Sequence, residues 1–183
     1  MNNKEHLTYE GLIKIVSIRA SLNKGLSQTI ADEFPNIIPA VRSPVYESKI
    51  LDPQWLAGFA SAEGCFTLTV NNSTSHKLGK TIQTTFTITQ HIRDKLLMEY
   101  LIDYLDCGML YKRNEACDFR VRSIVDIKKK IIPFFDKYPI QGVKSLAYVD
   151  FCRAAYLIDK KSHLTTDGID ELLEIKREIN KIR

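Results

Sequence analysis

Residues 55–66 read Trp55-Leu56-Ala57-Gly58-Phe59-Ala60-Ser61-Ala62-Glu63-Gly64-Cys65-Phe66. Asp52-Pro53 stands just before them, an N-cap acceptor followed by proline at the first helical position. The pair predicts a helix from Pro53 to about Glu63, with Gly64 as its stop. Gly58 and Ala62 stand four apart, with Ala57, Ala60 and Ser61 around them. Small residues at that spacing let a second helix backbone come close, although a tightly packed core helix uses the same residues. Glu63 places a carboxylate in the last turn, where the helix dipole disfavours negative charge by about 0.3–1 kcal/mol. A bound divalent cation offsets that cost. Two such helices side by side bring two carboxylates to one spot, an arrangement suited to metal-assisted phosphodiester hydrolysis.

Downstream, the period changes from helical to two. Phe66-Thr67-Leu68-Thr69-Val70 alternates apolar and hydroxyl residues, and Ile82 to Gln90 does so less strictly, with the polar loop Asn71–Lys80 between them. A helix follows over 93–105, with Leu96, Leu97, Tyr100, Leu101 and Tyr104 on one side. A second hairpin comprises 109–112, a turn over 113–116, and 119–122. Three helices, roughly 125–137, 142–159 and 165–181, finish the chain. The order α-β-β-α-β-β-α-α-α predicts an α+β fold: one antiparallel sheet with helices on one face. Alternation puts Phe66, Leu68 and Val70 against the helices. Thr67, Thr69 and Asn71 then lie on the open face, with Thr81, Gln83, Thr85 and Thr87 from the second strand and Arg120 and Arg122 from the fourth. Hydroxyls, an amide and arginines suit base-edge and phosphate contacts, and a merely solvated Thr-rich face is also ordinary β chemistry. Lys128-Lys129-Lys130 reads as a solvated helix face.

The two ends of the chain repeat each other. Lys4-Glu5-His6-Leu7-Thr8-Tyr9-Glu10-Gly11-Leu12 matches Lys161-Ser162-His163-Leu164-Thr165-Thr166-Asp167-Gly168-Ile169 at a constant offset of 157. Both continue as amphipathic helices from a Thr N-cap. One closing helix is thus written twice around a single domain, as though residues 1–50 carried the last helix of a preceding repeat. Leu-Thr-x-acidic-Gly is, however, also a common way to start a helix. A short helix over 27–34 and the Pro-punctuated linker Pro35 to Pro44 complete that arm. The organisation is therefore an arm and linker over 1–50 and a domain over 51–183.

Composition narrows the classes. The 183 residues are 44% hydrophobic, with 26 Lys+Arg against 22 Asp+Glu for a net charge of +4, and a mean hydropathy of −0.17. That is globular, and it permits a polyanionic partner without requiring one. No apolar run is long enough to span a membrane. The N-terminus has neither the apolar core of a secretory signal nor the arginines of a transit peptide. Cys65, Cys107, Cys117 and Cys152 form no CxxC pair, and the four histidines form no ligand cluster. The expectation is reduced cysteines in an intracellular protein and no zinc site.

Leu56 to Gly64, LAGFASAEG, resembles the LAGLIDADG motif of homing endonucleases and related intron maturases. The likeness extends to Asp52-Pro53-Gln54-Trp55, Phe86-Thr87-Ile88-Thr89-Gln90-His91, Gly142-Val143-Lys144 and the HLT-x-x-G closing helix, all similar to the group I intron-encoded branch. Ala60 and Ser61 depart from the motif, and the acidic position is kept as Glu63. The resemblance implies an αββαββα half-saddle whose sheet sits in the DNA major groove, here with extra C-terminal helices and an N-terminal helical arm. It implies Ala62, through its carbonyl, and Glu63 as Mg2+ ligands, Gln90 as the amide that orients solvent, and Lys144 as the lysine near the scissile phosphate. Thr67, Thr69, Asn71, Gln83, Thr85, Thr87, Lys112, Arg120 and Arg122 become the nucleic-acid contacts, and Gly58 with Ala62 the helix interface.

Two-motif members carry two such helices, and this sequence has one, resembling the tail and second half of a two-motif enzyme. Cleaving both strands of double-stranded DNA needs a partner half, as a homodimer or as a separately encoded first half. A second function stays open: a maturase-like or captured domain that holds structured RNA or DNA without cleaving it. An organelle-encoded, mitochondrial origin is implied by the resemblance alone.

Overall fold

The structure is a computed structural model that describes residues 4–22, 24–41, 52–76 and 78–181. The expected linker beyond Val41 and the boundary near residue 50 lie outside the described residues. The chain divides into two compact units, Met1–Ser48 and Lys49–Arg183.

The first unit holds a 3-10 turn (Glu5–Leu7), helix α1 (Tyr9–Ser21) and helix α2 (Gln28–Glu33). Its extended segment is tied to α1 at Ser17. The Ser17 hydroxyl donates to the Ile38 carbonyl at 2.6 Å, and the Ala40 N–H donates to the Ser17 carbonyl at 3.0 Å.

In the second unit, α3 (Pro53–Glu63) runs directly into β1 (Gly64–Asn72), which pairs with β2 (Lys80–His91). Helix α4 (Lys95–Leu105) leads to the hairpin β3 (Met109–Lys112) and β4 (Ala116–Val121). The four-stranded antiparallel sheet has the order β1-β2-β4-β3. Next come α5 (Ile124–Asp126), a π-helical turn (Ile127–Ile131) and α6 (Ile132–Lys137). Pro133 has no N–H to offer the Lys129 carbonyl, and the wider turn lies where that bond is missing. Helices α7 (Lys144–Asp159) and α8 (Thr166–Lys181) close the unit.

The Asp52 carboxylate accepts from the Gln54 N–H at 2.8 Å, so the expected cap forms. Gly64, expected as a helix stop, has extended φ −68° and is already the first residue of β1. Its glycine identity answers a close approach. A Cβ there would lie 2.5 Å from the Ala60 carbonyl oxygen, which accepts the Gly64 N–H.

The core lies between one sheet face and the helices. Phe66, Phe86, Ile88, Phe119 and Val121 pack with Leu56 and Ala60 of α3, Met98 and Leu101 of α4, and Phe135 and Phe151. Phe66 is at its centre, with the rings of Phe86, Phe135, Tyr148 and Phe151 at 5.0–5.8 Å between centroids.

Two expectations need correction. On α4 the buried residues are Met98, Leu101 and Leu105, while Leu96 and Tyr104 face outward. The i, i+3, i+7 spacing of the first three points at the sheet. Strand β4 begins at Ala116 rather than Phe119, which draws Asp118 into the sheet. No disulfide joins the cysteines, and burial pushes the Cys107 and Cys152 thiols up to about 11. No helix among the described residues is long and apolar enough to cross a membrane.

Phe66→Ala should cost about 3–5 kcal/mol of unfolding free energy, because four rings cannot collapse into the space it leaves. Urea unfolding checks this, with the midpoint falling at constant slope.

Candidate functional site

The end of α3 is where the site residues gather. Leu56, Ala57 and Ala60 are buried; Gly58 and Ala62 are exposed along the other side, and Glu63, seven residues on from Leu56, is exposed at the C-terminal end of the helix. Glu63 lines a shallow hollow with Thr89, Gln90, His91, Arg113 and Glu115. Gln90 reaches it because the β1–β2 ladder ends at Gly64↔Ile88, leaving β2 to run on beside the helix end.

On the other side of the same junction, Ala62 lines a second hollow with Ser61, Cys65, Gln141 and Lys144. The Lys144 ammonium donates to the Ala62 carbonyl at 2.7 Å. Ser61 donates to the Ala57 carbonyl at 2.7 Å and accepts from the Gln141 N–H at 2.9 Å, fixing the loop that leads to Lys144. Burial lowers the Lys144 pKa, and Coulombic interaction with Cys65 and Glu63 opposes that shift. The structure thus pairs Gln90 with Glu63 and Lys144 with Ala62, on opposite sides of one helix terminus.

The open face of the sheet follows the strand register. Thr67 pairs with Thr85, Thr69 with Gln83 and Asn71 with Thr81, while Thr87 stands opposite Arg120. Thr69, Asn71 and Gln83 are exposed, and Thr67 and Thr87 are half-buried. Thr85 departs from the expected open position. It is buried on β2, an interior strand of the sheet, with the Thr67 hydroxyl donating to its carbonyl at 3.0 Å. Lys112 pairs with Cys117, whose neighbours in the register belong to the core-facing rows, so it lies on the opposite side from Arg120. Arg122 falls just beyond β4.

Sequence reading missed the centre of this face. Asp118 is 1% exposed, opposite Thr89 on β2 and Tyr111 on β3. One carboxylate oxygen accepts from the Thr89 hydroxyl at 2.8 Å and from Arg113 at 2.6 Å, and the other accepts from Arg120 at 2.7 Å. The Arg120 and Arg122 guanidinium groups lie 4.6 and 5.3 Å from the Tyr111 ring centroid. The cluster presents three arginines from one buried acid and one ring, and Arg113 extends it into the Glu63–Gln90 hollow. With β4 begun at Ala116, parity alone places Asp118 beside Arg120. That was the available signal.

A family model described as LAGLIDADG endonuclease matches residues 56–155. The chain belongs to the LAGLIDADG endonuclease family. It is 41% identical over 175 residues to "Probable intron-encoded endonuclease 3" of Neurospora crassa, covering 94% of this chain and 33% of that protein. It is 40% identical over 192 residues to "Probable intron-encoded endonuclease 2" of the same organism, covering 98% and 41%. Among solved structures, the I-SmaMI LAGLIDADG homing endonuclease bound to cleaved DNA superposes with a TM-score of 0.94 at 45% identity, covering 100% of this chain and 62% of that one. The chain therefore spans a third to two fifths of these curated LAGLIDADG relatives and about three fifths of the solved one. The expected α+β LAGLIDADG fold is the one observed.

Asp118→Asn keeps the shape but removes the one carboxylate of the cluster, leaving Arg113 and Arg120 without their counter-charge. It should cost about 1.5–3 kcal/mol of stability, the range for hydrogen bonds to a charged group. Thermal unfolding of the variant beside Arg113→Gln measures it, and the two effects should not add.

Proposed function

We propose that this chain supplies a Mg2+-dependent, site-specific endonuclease domain. It would cleave double-stranded DNA together with a second LAGLIDADG half, either another copy of the chain or a separately encoded first half. The observation that carries this reading is the exposed Glu63 carboxylate at the C-terminus of α3, with Gln90 lining the same hollow and the Ala62 carbonyl accepting from the Lys144 ammonium on the other side of that terminus. The relatives add weight: two are named intron-encoded endonucleases, and I-SmaMI has been captured on cleaved DNA and on an uncleaved target with calcium ions. An intron-encoded, mitochondrial origin is part of the same reading.

The donor set fits a hard cation. Glu63 and the Ala62 carbonyl offer only oxygen, and Mg2+ favours one or two carboxylates completed by water and phosphate oxygens. No group of three or more His, Cys, Asp or Glu side chains among the described residues could hold an ion by itself, so the remaining ligands would come from substrate and the second half. Bound there, the ion supplies Lewis-acid polarisation of the phosphodiester. The chain's own residues do the rest. The Gln90 amide, lining the same hollow as Glu63, orients a water for attack. The Lys144 ammonium stabilises negative charge developing on the phosphate. Thr67, Thr69, Asn71, Gln83 and Thr87 line the groove-facing side, with Arg120 and Arg122 above Tyr111 reading guanine or phosphate.

The test is a cleavage assay with Mg2+ on duplex DNA from the gene's own insertion locus. Wild type should cut both strands. Glu63→Gln should abolish cutting while leaving DNA affinity within about tenfold, since it removes charge at the ion and little contact surface. Binding without cleavage by the wild-type chain would instead assign the nucleic-acid-holding role, and RNA competition would identify its ligand.

Pairing through α3 has its own measure. A Cβ on Gly58 would meet nothing within 4 Å inside this chain. Gly58→Leu should therefore leave the isolated fold as stable as before, or firmer by about 0.5–1 kcal/mol from helix propensity, while excluding the second half. Light scattering should show assembly lost with the unfolding midpoint intact.

A further inference from the structure

His91 is the last residue of β2, is exposed, and lines the hollow at the α3 terminus with Glu63 and Gln90. It belongs to the open face of the sheet. The register sets Thr87 opposite Arg120, Thr89 opposite Asp118 and His91 opposite Ala116, so these residues form one row that ends at the hollow. Because the β1 ladder stops at Gly64↔Ile88, no β1 residue stands beside His91. Gln90, of opposite parity, comes to the same space from the core-facing row.

Backbone and ring are both held. The Cys117 thiol donates to the His91 carbonyl at 3.7 Å, and the next N–H, that of Ile92, donates to the Glu115 carbonyl at 2.9 Å. The Arg93 N–H donates to the imidazole Nδ1 at 3.2 Å, which makes His91 the side-chain cap of the 3-10 turn Ile92–Asp94. A neutral imidazole that accepts at Nδ1 carries its proton at Nε2, so the tautomer is set and the ring presents one N–H donor. Its neighbours in the row are engaged with each other: the Thr89 hydroxyl and the Arg120 guanidinium both donate to Asp118. Capping by itself does not call for this residue, since Asn, Asp and Ser are the favoured caps. Histidine adds a donor farther from the backbone than any of those carries.

We infer that His91 is a phosphate-binding residue of this site, donating its Nε2–H to a non-bridging oxygen of the DNA strand that meets Glu63 and Gln90. This role rests on the endonuclease reading of Glu63 and deepens it by one substrate contact. A base edge is read by paired donors and acceptors, whereas a phosphate oxygen needs a single donor, which is what the ring offers. Charge accounts for the residue type. Two acids, Glu63 and Glu115, line the hollow, and the Arg113 guanidinium there is bound to Asp118 at 2.6 Å. A lysine in place of His91 would set a permanent ammonium near those acids and compete with a divalent cation for Glu63. A neutral N–H donor binds phosphate without that competition.

The two ring nitrogens can be replaced one at a time in the full chain. His91→Asn keeps an acceptor at the place of Nδ1, and with it a favoured cap, but has nothing at the place of Nε2. His91→Gln carries an amide N–H at the reach of Nε2 and gives up the short cap. Each variant is measured for its unfolding midpoint, for affinity toward duplex DNA of the insertion locus with Ca2+ in place of Mg2+, and for single-turnover cleavage with Mg2+. His91→Asn should keep the midpoint and bind about tenfold more weakly, the effect of one lost hydrogen bond to a charged group. His91→Gln should bind within about threefold of wild type, having kept that bond. Any outcome in which the Asn variant binds as well as the Gln variant overturns the assignment. If the Gln variant is then the less stable of the two, His91 is only a cap. A wild-type chain that binds the duplex without cutting it removes the nuclease reading of Glu63, and the order of the two affinities still decides the His91 contact. A wild-type chain that does not bind the duplex defeats both.

Discussion

Gly64 donates its N–H to the Ala60 carbonyl as the last act of α3 and in the same residue begins the ladder with β2. No connecting loop absorbs error between helix and strand. Ala60 and Leu56 are sealed under the helix, and two residues after the junction Phe66 is held among four rings. The position of Glu63 is thereby fixed from both directions. A slip of one residue would turn every side chain of β1 to the other face and carry Ala62 and Glu63 away from Lys144 and Gln90. The bulk of the hydrophobic core serves this one alignment, because a carboxylate at a helix C-terminus is useful only if it is held where a counter-charge can meet it.

The parts of the fold that follow local rules were legible beforehand. Asp52-Pro53 and Thr165 start helices by capping chemistry, and the Thr-alternation of β1 and β2 announces their two faces. Where the reading went astray, neighbours in space decided the matter. Leu96 and Tyr104 look like core residues on α4 until the sheet selects the Met98–Leu101–Leu105 side. Thr85 has the right parity for an open face but is buried there, on an interior strand. Lys112 is a cation near the others in sequence and on the wrong side of the hairpin in space. Glu63, Gln90 and Lys144 could be named from the motif. That Gln90 and Lys144 flank opposite sides of the α3 terminus follows only from the sheet order and from Ser61 holding the 141–144 loop.

Asp118 was invisible for a different reason. An acid between Cys117 and Phe119 looks like a turn residue unless the strand is known to start early. Once it is in the sheet, its burial is tolerable only because Arg113, Arg120 and Thr89 saturate both oxygens. The gain is rigidity: two long side chains that would otherwise sample many rotamers are already ordered, one of them stacked on Tyr111, so less freedom is lost when a ligand arrives.

That arrangement also limits how this surface can change over time. Replacing Arg120 alone leaves a buried carboxylate half-neutralised on the face proposed to meet DNA. On that proposal the substitution is penalised twice, in folding and in repulsion of a polyanion. Viable routes run through paired replacements, with Asp118 traded for a neutral residue before or together with the arginine. Among descendants of this chain, positions 113, 118 and 120 should therefore vary as a set, and retargeting by design would have to treat the three as a single letter of the recognition alphabet.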